Sequence, residues 1–90
     1  MIRSQSPLSI EATEVRLKEK WTELLCVEAC EVTSNSNFFA LGGNSMLILS
    51  LHIFISIEFN TNVALAELLD NAEFASMAHL IFSNALNRDG

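Results

Sequence analysis

Between positions 21 and 87 the chain has no lysine and no arginine. Four of its five basic residues, Arg3, Arg16, Lys18 and Lys20, fall in the first twenty positions, and the fifth is Arg88. No basic patch can form on the body of such a chain, which argues against nucleic acid as a partner. At a formal net charge of −6, a partner surface is expected to be apolar or basic. Proline occurs once and cysteine twice, as Cys26 and Cys30. Two cysteines four residues apart near the end of a predicted helix make no disulfide framework, and a reduced, cytoplasmic setting is the simpler expectation. They do not suit zinc either: two further ligands would be needed, and His52 and His79 are distant in sequence, so no metal is expected. Long apolar runs are also missing. Met46–Phe59 is interrupted by Ser50, His52, Ser56 and Glu58 and falls short of the ~20 residues of a membrane span. The polar start, Met1–Ser9, lacks the apolar core of a signal peptide.

What remains is half hydrophobic over 90 residues, enough for one small folded domain. Residues 1–9 read as a disordered lead or linker, 10–86 as the domain and 87–90 as a tail. Val15, Leu17, Trp21, Leu24 and Leu25 recur at helical spacing after the possible caps Ser9 and Thr13, which predicts a first helix over 10–26. Glu31–Asn37 is rich in turn formers and aperiodic, hence a long loop. Phe38, Phe39 and Leu41 are too apolar to face water and should be buried beneath that loop, with Trp21 partly buried. Further helices are predicted over 45–60, 64–69 and 73–86, the third being short. In the last of them Phe74, Met77, Ala78, Ile81, Phe82 and Leu86 follow the 3.6 period. No segment alternates apolar and polar residues, so no strand is expected. The fold class is all-α, a small four-helix bundle with a long loop between helices 1 and 2.

The second helix is apolar nearly all round. Ile48, Leu51, Ile55 and Phe59, with His52, form an ordinary core stripe. Met46, Ser50, Ile53 and Ile57, with Leu47 beside them, form another. A bundle this small cannot enclose one of its helices, so part of the second stripe should be exposed, and an exposed apolar patch on a small domain marks a docking surface. The alternative is that the loop over 27–44 folds across it.

At the head of that helix stands Ser45, preceded by Gly42, Gly43 and Asn44. As a hydrolase nucleophile it is poorly placed: no strand precedes it, and the second glycine of a nucleophile elbow is missing. His52 lies about 10 Å further along the same helix by rise, out of reach of a general base. Ser45 is then either a helix N-cap or a hydroxyl presented for modification, where unpaired N–H groups and the positive dipole end favour a phosphodiester.

Phe38-Phe39-Ala40-Leu41-Gly42-Gly43-Asn44-Ser45-Met46-Leu47 resembles the attachment signature of thiolation domains, the peptidyl carrier proteins of nonribosomal peptide synthetases. The likeness runs without a gap from about Glu11 to Ile81. Glu14-x-x-Leu17-x-x-x-Trp21-x-x-Leu24-Leu25 is similar to the family's first helix. Leu51, Ile55 and Phe59 are similar to its second-helix core, and Leu65-x-x-Leu68-Leu69 and Phe74-x-x-Met77-Ala78-x-x-Ile81 to helices three and four. The Gly-Gly pair resembles peptidyl more than fatty-acid or polyketide carriers, and Gly-Gly-Asn-Ser-Met is similar to carriers of hybrid polyketide–nonribosomal peptide synthases. Cys26 departs from the usual Gly, Ala72-Glu73 from a frequent Pro-Thr, and Ser50, Ser56 and Ile57 from positions where charge is common.

The resemblance implies 4′-phosphopantetheine, derived from coenzyme A, esterified to Ser45 and holding an aminoacyl, peptidyl or acyl group as a thioester. It implies a non-catalytic carrier domain over 10–86, monomeric when isolated. The implied partners are a phosphopantetheinyl transferase and adenylation, condensation, and release or ketosynthase-type domains, with Met46, Leu47, Ile53 and Ile57 as the docking face. The alternatives are a polyketide-type acyl carrier, or an unmodified apolar interaction module in which Ser45 only caps its helix.

Overall fold

The computed structural model describes residues 9–87, the side chains of residues 86 and 87 excepted. Helix α1 (Ile10–Leu25) starts at Ser9, whose backbone is extended and whose Oγ accepts the Ala12 N–H at 3.0 Å. Ser9, which the sequence reading placed in the lead and also among the possible caps, is the cap. The remainder of that lead, and the tail beyond Asn87, lie outside the described residues. At its other end α1 stops on Cys26, which adopts the left-handed conformation (φ 57°, ψ 44°) while its N–H donates to the Thr22 carbonyl. Glycine takes that conformation without the Cβ penalty that Cys26 carries.

A 3₁₀ turn, Ala29–Glu31, follows, with the Glu31 carboxylate accepting the Glu28 N–H at 3.1 Å. Three more helices complete the chain: α2 (Ser45–Glu58), α3 (Leu65–Asp70) and α4 (Phe74–Asn87). Each lies within two residues of its predicted span. Among the described residues there is no strand, only an isolated antiparallel bridge between Asn37 and Glu73.

Leu17, Phe38, Leu51, Ile55, Leu68, Met77 and Ile81 form the core around Trp21. The indole meets the rings of Phe38 and Phe74 edge-on, each at 5.2 Å between centroids, an arrangement aromatic quadrupoles favour. Trp21, expected to be partly buried, is completely so, and its indole N–H has no acceptor among the described residues. Val15, in contrast, is 58% exposed. It lies two residues from both Thr13 and Leu17, roughly 200° around a helix from each, and so on the opposite face.

The loop between α1 and α2 does not fold across α2. It is tied instead to the connection between α3 and α4: Phe38 N–H donates to the Ala72 carbonyl (2.9 Å), Phe74 N–H to Ser36 (2.8 Å) and Ala75 N–H to Ser34 (3.0 Å). Phe38 is fully buried by this anchoring, but Phe39, expected to be buried beside it, is 38% exposed, and Leu41 is half-buried. The cause is local. The Asn37 side-chain carbonyl accepts from both Phe39 N–H (2.9 Å) and Ala40 N–H (3.1 Å), so the chain turns at once and two adjacent rings cannot both point inward. Elsewhere α2 is fastened to α1 by an Arg16–Glu58 ion pair and by Lys20 over the Phe54 ring, 5.2 Å from its centroid. His52 Nε2 lies 2.7 Å from the Val63 carbonyl oxygen and holds the α2–α3 connection.

Candidate functional site

Ser45 is the first residue of α2, and it is not the cap. Asn44 fills that role: its backbone is extended and its Oδ1 accepts the Leu47 N–H at 3.0 Å. Of the two readings the sequence left open, the plain N-cap is thereby removed, because one side chain already satisfies the donor a serine cap would take. Ser45 is solvent-exposed, and its hydroxyl has no hydrogen-bond partner among the described residues. The next free donor, Ile48 N–H, returns to the Asn44 carbonyl at 2.9 Å. The N–H groups of Ser45 and Met46 find no acceptor among the described residues, leaving two donors and the positive end of α2 beside the hydroxyl.

The two glycines before it have different reasons for being glycine. Gly42 sits at φ +113°, a region L side chains rarely enter, with open space where a Cβ would lie. Gly43 is sterically required: a Cβ there would come within 2.4 Å of the Phe38 ring and 2.8 Å of the Phe38 carbonyl oxygen. Neither glycine serves only to leave the Ser45 hydroxyl open. What they do is shape and support the turn that delivers it.

Along α2 the second apolar stripe is exposed, as expected: Met46 is 78%, Ile53 59% and Ile57 76% exposed. Leu47, expected on that face, is instead half-buried and packs against the core. Its neighbour in the stripe is Leu49, 47% exposed, which sequence reasoning missed although it stands three residues after Met46 and four before Ile53. Met46, Leu49, Ser50, Ile53 and Ile57 fall within about 100° of helix circumference and run about 16 Å from the turn that carries Ser45. No residue from Ser45 to Ile57 is charged. His52 is turned to the Val63 carbonyl and supplies no base to Ser45. A groove of about 610 Å³ between α1 and the loop, lined in part by Val15, Thr22, Val32 and Phe74, contains none of these residues. Among the described residues no group of three or more His, Cys, Asp or Glu is placed to hold a metal ion.

An exposed, unengaged serine hydroxyl at the head of a helix suits covalent attachment of an anionic group. A family model described as the phosphopantetheine attachment site matches residues 15–81, a span that contains this serine. The chain belongs to that family. It is 31% identical over 83 residues to the hybrid PKS-NRPS synthetase gkaA of Penicillium citrinum, covering 89% of this chain and 2% of the synthetase. It is 31% identical over 83 residues to the non-canonical nonribosomal peptide synthetase hkm10 of Aspergillus hancockii, covering 92% of this chain and 8% of that protein. The chain thus spans only a small part of the curated relatives it matches. A solved domain, the HMG-ACPI domain from the CurA module of Lyngbya majuscula, superposes over the whole chain and 91% of its own length with a TM-score of 0.81 at 19% identity. That likeness shows the fold, an all-helical architecture. The residues at Ser45 fit the prosthetic group the family is named for: the hydroxyl is open, the Ser45 and Met46 N–H groups at the same helix end have no acceptor among the described residues, and α2 carries no lysine or arginine to pin the arm.

Proposed function

We propose that Ser45 carries 4′-phosphopantetheine and that the domain hands an aminoacyl, peptidyl or acyl group from one catalytic domain to the next within a nonribosomal peptide or hybrid polyketide–peptide synthetase. When attached, the group supplies a flexible arm ending in a thiol on which cargo is held as a thioester. The chain itself supplies the nucleophile and no catalysis. In loading, Ser45 Oγ bonds to a phosphorus of coenzyme A as the pyrophosphate bond breaks. The adenosine bisphosphate half leaves with the electron pair, and the serine proton passes to a base on the phosphopantetheinyl transferase. The observation that carries the reading is an exposed Ser45 hydroxyl without a partner among the described residues, on a helix capped by its neighbour Asn44.

The relatives, hybrid and nonribosomal peptide synthetases, favour adenylation, condensation and release or ketosynthase-type domains as partners. Contact runs through Met46, Leu49, Ile53 and Ile57, with Leu47 behind them. Exposed free thiols at Cys26 and Cys30 suit a reducing cytoplasm. The test is intact mass after incubation with coenzyme A and a phosphopantetheinyl transferase. The wild-type chain gains one group and Ser45→Ala gains none. Because alanine at the first helical position replaces no cap, the variant's stability stays within about 0.5 kcal/mol of wild type. A mass gain on Ser45→Ala would overturn the assignment.

A further inference from the structure

Gly43 rests on a ring that cannot yield. Phe38 is fully buried, with Trp21 edge-on at 5.2 Å on one side and Phe39 edge-on at 5.7 Å on another. A Cβ on Gly43 would lie 2.4 and 2.6 Å from two carbons of that ring, closer than any packed core permits. The same residue fixes the turn by hydrogen bonding, since Gly43 N–H donates to the Phe38 carbonyl at 2.9 Å. Phe38 N–H is in turn anchored to the Ala72 carbonyl. From the core outward the chain of contact is therefore Trp21, Phe38, Gly43, then Asn44 and its cap, and the next residue is Ser45.

We propose that Phe38, acting through Gly43, is a positioning residue for Ser45: the ring is the platform on which the last turn before α2 rests, and it sets where the hydroxyl points during prosthetic-group transfer. This rests on the reading of Ser45 given above. Gly42 has no part in the platform, because nothing lies within 4 Å of its Cβ position. Beyond Met46, which follows Ser45 directly, the docking stripe lies further along α2, away from the two positions substituted to probe the platform. Docking and positioning can therefore be read separately.

The experiment follows loading by intact mass with transferase in excess over the carrier. The saturating single-turnover rate reports placement of the hydroxyl, and the half-saturating transferase concentration reports docking. The variants are Gly43→Ala and Phe38→Leu, with Ile81→Val as a core change that loosens packing from a position on α4, outside the loop. Thermal melts record the folded fraction of each. Gly43→Ala and Phe38→Leu are expected to slow the saturating rate about tenfold or more, in keeping with the cost of a misplaced reacting group, with half-saturation within about twofold of wild type. Ile81→Val is expected to load at the wild-type rate. If Gly43→Ala does not fold, Phe38→Leu decides by the same comparison with Ile81→Val. A folded Phe38→Leu with a wild-type saturating rate overturns the proposal, and so does an Ile81→Val slowed as much as Phe38→Leu, which would reduce the effect to general stability. A wild-type chain that gains no mass overturns the Ser45 assignment and the proposal with it. A loaded wild type beside an unslowed Phe38→Leu removes the proposal alone.

Discussion

Placing an aspartate at position 53 or 57 separates a docking face from a core face, because the two readings assign these residues very different energies. Ile53 is 59% and Ile57 76% exposed, so folding hides only about two fifths of the first and a quarter of the second. At ~1.5–3 kcal/mol for complete burial of such a side chain, the lost transfer free energy is about 0.6–1.2 kcal/mol for Ile53→Asp and about 0.4–0.7 for Ile57→Asp. Lower helix propensity adds a few tenths. At position 57, near the C-terminus of α2, an adverse dipole interaction adds about 0.3–1 kcal/mol more. A domain with the usual 5–15 kcal/mol of stability stays folded under either change. At an apolar interface the same carboxylate has to be desolvated against carbon, and losing one anchor costs at least about 1.4 kcal/mol, a tenfold rise in half-saturation. The assay is transferase loading followed by intact mass, with circular dichroism on each variant. Both should keep wild-type helicity and need about tenfold more transferase for half-saturation, while the wild type shows little dependence on salt because the face carries no charge. Wild-type loading by both variants refutes the docking face. Loss of helicity in both means the stripe is core.

Asn44→Ala should lower stability by about 0.5–2 kcal/mol in urea unfolding, since it frees the Leu47 N–H that the Asn44 side chain now satisfies. A loss from Ser45→Ala larger than that from Asn44→Ala would reverse the assignment of the cap. Cys26→Gly should raise stability by about 0.5–1 kcal/mol. It relieves a left-handed non-glycine residue at φ 57° that costs roughly 1–2 kcal/mol, offset in part by the greater chain entropy of glycine when unfolded. A drop in melting temperature would show that the Cys26 side chain contributes more than strain.

Helix positions were legible because the apolar period is strong: Leu17 and Trp21 in α1, Leu51 and Ile55 in α2, and Met77 and Ile81 in α4 all occupy the interior. The exposed stripe was legible too, by counting how much of α2 so short a bundle can enclose. Three features were not. The cap shifted by one residue because Asn and Ser have nearly equal preference for that place, and only the hydrogen bond to Leu47 N–H decides between them. Phe39 was sent inward because hydropathy ignores a turn closed by the Asn37 side chain two residues on. The contact at Gly43 was hidden, since its neighbour Phe38 is five residues away in sequence and the ring packs against it in a loop anchored to Ala72.

The placement of charge completes the picture of α2. Glu58 is the only ionisable carboxylate on the helix and is paired with Arg16, so the exposed stripe ahead of it is apolar and neutral. Of the described lysines and arginines, Arg16 is held by that pair and Lys20 lies 3.5 Å from the Glu23 carboxylate and over the Phe54 ring, and most of the remaining charges on the described surface are carboxylates. A second copy approaching the stripe meets apolar surface at short range but like charge over the whole molecule, a repulsion that opposes self-association. A partner with a neutral or basic rim meets the same apolar anchors without that opposition. Four exposed side chains on one helix face offer far less than the roughly 800 Å² per side of a stable complex. Binding through them is therefore expected to be brief, which suits the proposed hand-over from one catalytic domain to the next.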